Sequence, residues 1–138
     1  MSSVKEPGYF SPDVSVPTRW NRDLDAYLEL FAAAGDMPVR GESSPAYLYS
    51  EVAARQIAEV APQARLLAIF RNPVDAIAAM YAEARKWGLE PERTVAAAVA
   101  AARRGRPDSA RPGGVWLRYF DVLAYAEQLE RYLDVFGR

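Results

Sequence analysis

Two residue types are missing altogether: the 138-residue sequence contains neither cysteine nor histidine. Without cysteine there is no disulfide framework, no thiolate nucleophile and no Cys/His zinc site. Without histidine a Ser-His-Asp triad and an imidazole general base are excluded. Any proton transfer falls to a carboxylate, a lysine, a tyrosine or bound water. An excess of one charge is lacking too. Lys+Arg number 17 against 18 Asp+Glu, a net charge of −1. That balance argues against broad electrostatic binding of nucleic acid or an anionic membrane. Lysine is scarce, present only as Lys5 and Lys86. The arginine and alanine bias fits a GC-rich genome, with anion binding at a few special arginines as the functional alternative. No apolar run approaches the ~18 residues of a membrane-crossing helix. The opening MSSVKEP has no apolar stretch of the secretory kind, so the cytoplasm is the expected compartment.

What is present is an ordinary globular composition, 51% hydrophobic and 25% charged in 15.3 kDa, expected to form one domain over 1–138. Residues 4–10 read as a short strand running into a loop over 11–20. Asp23 is placed to cap a helix over 24–34, with Tyr27, Leu28 and Phe31 on one face and Gly35 as its stop. Residues 38–45 form a short extended piece. A helix over 51–60 follows, with Val52, Ile57 and Val60 as apolar positions, and Pro62 ends it. The clearest strand is 65–70, RLLAIF, a continuous apolar run between prolines, the pattern of a strand buried on both faces.

Asn72 and Pro73 then start a helix sharply, with Val74, Ile77, Ala78 and Tyr81 as its buried stripe and Gly88 as its end. An alanine-rich helix over 91–104, a loop over 105–114 and a final helix over 116–136 complete the chain. Val122, Ala126, Leu129, Leu133 and Phe136 line one side of that last helix. Short strands alternating with helices predict an α/β fold with a mainly parallel sheet.

Arg71 stands at the carboxyl end of the 65–70 strand, where ligands collect in open α/β sheets. The helix start beside it offers unpaired N–H groups, and the guanidinium offers a planar fork matched to phosphate or sulfate oxygens. Arg71 is therefore an anion-site candidate. The competing reading pairs it with a carboxylate such as Asp75 or Glu42.

Four segments in order resemble the PAPS-dependent sulfotransferases, which move a sulfuryl group from 3′-phosphoadenosine-5′-phosphosulfate to an acceptor. RNPVDAIAAMY (71–81) is similar to the family's 3′-phosphate-binding segment, and GESSPAYL (41–48) to its Gly-Glu-x-Ser/Thr-Pro-x-Tyr-Leu segment. KEPGYF (5–10) resembles its Lys-Glu strand. YFDVLAYAEQLERYLDVFGR (119–138) resembles a helix in which bacterial members carry a Tyr-Ala-x-Gln-Leu run. The resemblance implies a partial P-loop-NTPase-like three-layer fold, short parallel strands flanked by helices. It implies PAPS as sulfuryl donor, no metal, Arg71 on the donor's 3′-phosphate and Glu6 as general base. A solvated strand-end carboxylate is the competing reading of Glu6.

The family's phosphate-binding serine falls on Ala79, removing a charge-assisted hydrogen bond worth about 1.5–3 kcal/mol. Ser43 and Ser44 match positions that approach substrate or shape a Ser-Pro turn, the turn being favoured. Tyr81, Tyr119 and Tyr125 read as core aromatics.

Against the family pattern, no Gly-rich loop with its lysine precedes Lys5, and the segment expected after Arg138 is not present. The expectation is the central portion of a sulfotransferase domain, a truncated enzyme. A non-catalytic remnant or interaction module is the second reading. A P-loop NTPase is a weaker third, since no Walker lysine occurs. Sugars, lipids and small metabolites are the expected acceptor classes, and an unpaired sheet edge would allow a homo-oligomer.

Overall fold

Local capping decides where the helices begin. The computed structural model describes residues 1–14, 23–105 and 113–137. Asp23 accepts hydrogen bonds from the amides of Asp25 and Ala26 at 2.8 and 3.2 Å and starts α1 (Leu24–Glu29). The helix expected over 24–34 is shorter: α1 gives way to a 3₁₀ turn, Ala32–Ala34, which Gly35 closes at φ +50°. α2 (Ala46–Tyr49) and α3 (Ala53–Val60) follow. Ser50 is buried at their junction, its Oγ accepting from the Ala53 amide at 3.0 Å. α4 (Pro73–Lys86) starts as the sequence predicts, with Asn72 Oδ1 accepting from the Val74 amide at 2.9 Å and Pro73 in the first helical position. Thr94 caps α5 (Val95–Arg103).

The single helix expected over 116–136 is three pieces: a 3₁₀ turn Gly114–Leu117, α6 (Tyr119–Val122) and α7 (Tyr125–Phe136). Gln128 holds the break. Its buried amide nitrogen donates to the carbonyls of Asp121 and Val122, at 2.6 and 3.1 Å, which the end of α6 leaves open. Residues 15–20 and 106–112 of the two expected loops lie outside the described residues.

The α/β, P-loop-NTPase-like fold with parallel strands is corrected here. Among the described residues there is no strand and no sheet; every regular element is helical. Residues 4–10 form bends and turns, and 65–70 run without a ladder partner. The 65–70 side chains are exposed, Leu67 at 88% and Ile69 at 85%. The physical reason is that a strand buried on both faces needs neighbours for its backbone N–H and C=O groups, and no described segment lies alongside to provide them. Phe70 alone turns onto a ring, that of Tyr125, at 4.9 Å between centroids.

Two apolar clusters hold the helices. The first joins Phe10, Tyr27, Phe31, Ala53 and Ile57, with Tyr9, Tyr47, Tyr132 and Phe136 packed against it. Its rings meet mostly edge to face, 4.9–5.6 Å apart, with Tyr9 stacked on Tyr27 at 4.5 Å. The second joins Met80, Ala98 and Tyr119, with Ile77 and Tyr81 at its edge. The buried stripe of α4 is Ala76, Met80 and Ala84, while Val74 is 75% exposed, so the predicted stripe is displaced around the helix. Leu28, Leu129 and Leu133, predicted inward, are exposed. No helix among the described residues is long and apolar enough to cross a membrane.

Tyr119 is fully buried, and its hydroxyl donates to Glu90 Oε2 at 2.6 Å, with Glu90 also buried. Tyr119→Phe keeps the ring and removes that donor, so urea unfolding should show a loss of about 1–3 kcal/mol. An unchanged midpoint would contradict this assignment.

Burial pushes the hydroxyl of Tyr132 up to about 12, and burial with the nearby Glu6 charge does the same for Tyr49. Tyr27 and Tyr47 are raised further, by burial and by Glu42. Unfolded tyrosines ionise near about 10, so above that pH the unfolded chain sheds protons that the folded chain keeps. Stability is therefore full below about pH 10 and falls as pH rises toward 12. Urea midpoints that hold constant across that window would rule this out.

Candidate functional site

The segment carrying Glu6 is held from both sides. Pro7 is fully buried and Phe10 is anchored in the aromatic cluster. Between them, Gly8 sits at φ +64°, its carbonyl accepting from Ser11 Oγ at 3.1 Å. Glu6 itself has φ +52°, the one non-glycine residue among those described with a positive φ. That left-handed conformation costs an L-residue roughly 1–2 kcal/mol, so the surrounding contacts must impose it. The Glu6 carboxylate is 49% exposed and lies 3.5 Å from Lys5 Nζ. Its charge also acts on the Tyr49 hydroxyl.

Glu42 lies behind this segment. Its Oε1 accepts from the hydroxyls of Tyr27, at 3.1 Å, and Tyr47, and its Oε2 accepts from Ser44 Oγ at 2.7 Å. Three hydroxyls thus share one half-buried carboxylate, and among the described residues no Lys or Arg pairs with it. Ser44 Oγ in turn accepts from the Gly8 amide at 3.0 Å. Sequence reasoning considered Glu42 only as a partner for Arg71. The signal that could have found its role was the spacing inside 41–48: a serine two residues on and a tyrosine five residues on.

Arg71 stands exposed one residue before the Asn72 cap of α4. Among the described residues it forms no ion pair or hydrogen bond, so neither Asp75 nor Glu42 holds it. Nor does any bond among the described residues join Arg71 to Glu6. Ala79 is half-buried on α4. Ser44 is engaged inside the turn network, whereas Ser43 is exposed. Tyr119 lies in the second cluster with Tyr81 at its edge, and Tyr125 packs on Phe70.

A cavity of about 210 Å³ is lined by Asp13, Tyr49, Glu51, Val115, Arg118 and Asp121 among others. Its charges are largely spoken for. Asp13 accepts from Ser50 Oγ at 2.6 Å and the Glu51 amide at 2.7 Å, and Arg118 Nε meets Asp121 Oδ2 at 2.7 Å. Among the described residues no group of acidic side chains is arranged to hold a metal ion.

No family model and no curated protein matches this chain. Among solved structures it is similar to a crystal structure of a sulfotransferase from Alicyclobacillus acidocaldarius, with a TM-score of 0.77 and 29% identity. The likeness covers 99% of this chain and 58% of that one, so the chain spans well under two thirds of the solved structure's length. The scaffold is sulfotransferase-like.

Proposed function

We propose that this chain is the part of a sulfotransferase that binds the 3′-phosphate of PAPS and carries the base for transfer to an acceptor hydroxyl or amine. The observation that carries this reading is the Arg71 guanidinium, without a partner among the described residues, beside the N-terminal turn of α4 on a scaffold similar to that of a solved sulfotransferase. A guanidinium with no carboxylate partner keeps its planar set of N–H donors for a phosphate, and the first turn of α4 adds a partial positive charge. PAPS supplies the sulfuryl group when bound. Glu6 would take the proton that the acceptor oxygen or nitrogen loses as it bonds to sulfur, while the sulfur's bond to the donor's 5′-phosphate oxygen breaks and 3′-phosphoadenosine 5′-phosphate leaves; its half-exposed carboxylate is open to an acceptor. Ala79 leaves the 3′-phosphate with one hydroxyl donor fewer than the family pattern provides.

Calorimetric titration with 3′-phosphoadenosine 5′-phosphate tests the donor site. Micromolar binding is expected, weakened at least about tenfold in Arg71→Ala, the loss of a charge-assisted hydrogen-bonded contact. A wild-type chain that binds none of this nucleotide would sink donor use by the chain alone.

A second reading, an interaction module with no chemistry of its own, is favoured by one specific observation. Leu66, Leu67, Ile69 and Phe70 are exposed together on an extended backbone that lacks ladder partners among the described residues, with exposed Val74 close by in sequence. Such a run of exposed apolar side chains on a backbone without ladder partners among the described residues is a template for pairing, here with a second copy of this chain. Light scattering over a concentration series should then show a dimer, abolished in Leu67→Lys/Ile69→Lys. A monomer at every concentration counts against it.

A further inference from the structure

We infer that Glu42 is a positioning residue for Glu6, acting through Ser44 and the Gly8 amide. The inference rests on the reading of Glu6 as the base. A serine hydroxyl has one proton to give. Glu42 is an acceptor when ionised, and it takes that proton at 2.7 Å. The Gly8 N–H, 3.0 Å away, can only donate, and Glu42, by holding the serine proton, keeps a lone pair of the Ser44 oxygen turned toward it. Gly8 lies two residues after Glu6, with the buried Pro7 ring between them, and Glu6 is held at φ +52°.

The carboxylate is itself fixed. Tyr27 from α1 and Tyr47 from α2 both donate to its Oε1, and both rings belong to the first aromatic cluster. The path therefore runs from two packed helices, through one carboxylate and one hydroxyl, to the backbone that presents Glu6.

Amide hydrogen exchange followed by NMR on the whole chain gives the direct test. In Ser44→Ala and in Glu42→Gln the Gly8 amide should exchange at least about tenfold faster, while the amides of α3 keep their wild-type rates. Ser44→Thr, which retains the hydroxyl, should restore protection. Wild-type exchange at Gly8 in Ser44→Ala and Glu42→Gln overturns the inference, and so does a loss shared equally by α3, which marks general destabilisation. Sulfuryl transfer from PAPS to 4-nitrophenol supplies the second readout. Where the wild type turns over, Glu42→Gln should lower kcat about tenfold and leave the KM for PAPS unchanged. Glu6→Gln separates the two ideas. If it has no effect, or if the wild type transfers nothing, the base reading fails and the Gly8 exchange result still decides whether Glu42 sets this backbone. If Glu6→Gln abolishes transfer while Ser44→Ala and Glu42→Gln keep full kcat, the base stands and the positioning role falls.

Discussion

An extended chain can bury apolar side chains only if its backbone N–H and C=O groups find partners, because an unpaired buried amide costs as much as the burial returns. That constraint shapes this molecule more than any single contact. Helices satisfy their own backbone and fold wherever a cap and an apolar face coincide, as α4 does behind Asn72 and Pro73. Residues 65–70 have the most apolar extended pattern in the chain and remain at the surface. Among the described residues the two clusters are built largely of rings and small residues on short helices, Tyr27, Phe31 and Ile57 in one and Met80, Ala98 and Tyr119 in the other.

Tyrosine takes over work that a sheet would otherwise do. Each tyrosine at a junction fills space with its ring and uses its hydroxyl to tie down a polar group on another segment. Tyr132 of α7 donates to the carbonyl of Tyr47 at 2.6 Å, and Tyr81 of α4 to the carbonyl of Glu92 at 3.2 Å. Tyr119 reaches Glu90 across the second cluster. These are side-chain substitutes for ladder bonds. They join segments distant in sequence at single points, whereas a ladder joins them along their length.

Much of the helical layout was legible in the sequence because its signals are local. Asp23, Asn72 and Pro73 mark helix starts that depend only on neighbouring amides, and Gly35 marks a stop that depends only on its own φ. Arg71 and Glu6 could be singled out for the same reason, as one side chain each in a recognisable run. The sheet was misread because an apolar run between prolines states a preference for burial but not whether a partner exists. The last helix was misread because its break depends on Gln128 reaching back to two carbonyls, a tertiary contact hidden in an otherwise helical pattern. Glu42 was passed over since its importance comes from three hydroxyls converging in space, two of them from other elements.

The way α4 is seated has a mechanical consequence. Its buried side chains begin at Ala76 and continue through Met80 to Ala84, against the 3₁₀ turn Gly114–Leu117 and α5. The turn before Ala76 is exposed, and the chain entering it is anchored one residue ahead of Arg71, where the Phe70 ring packs on Tyr125. Arg71 thus stands between two anchors, the Phe70 ring on Tyr125 before it and the Ala76 face of α4 after it.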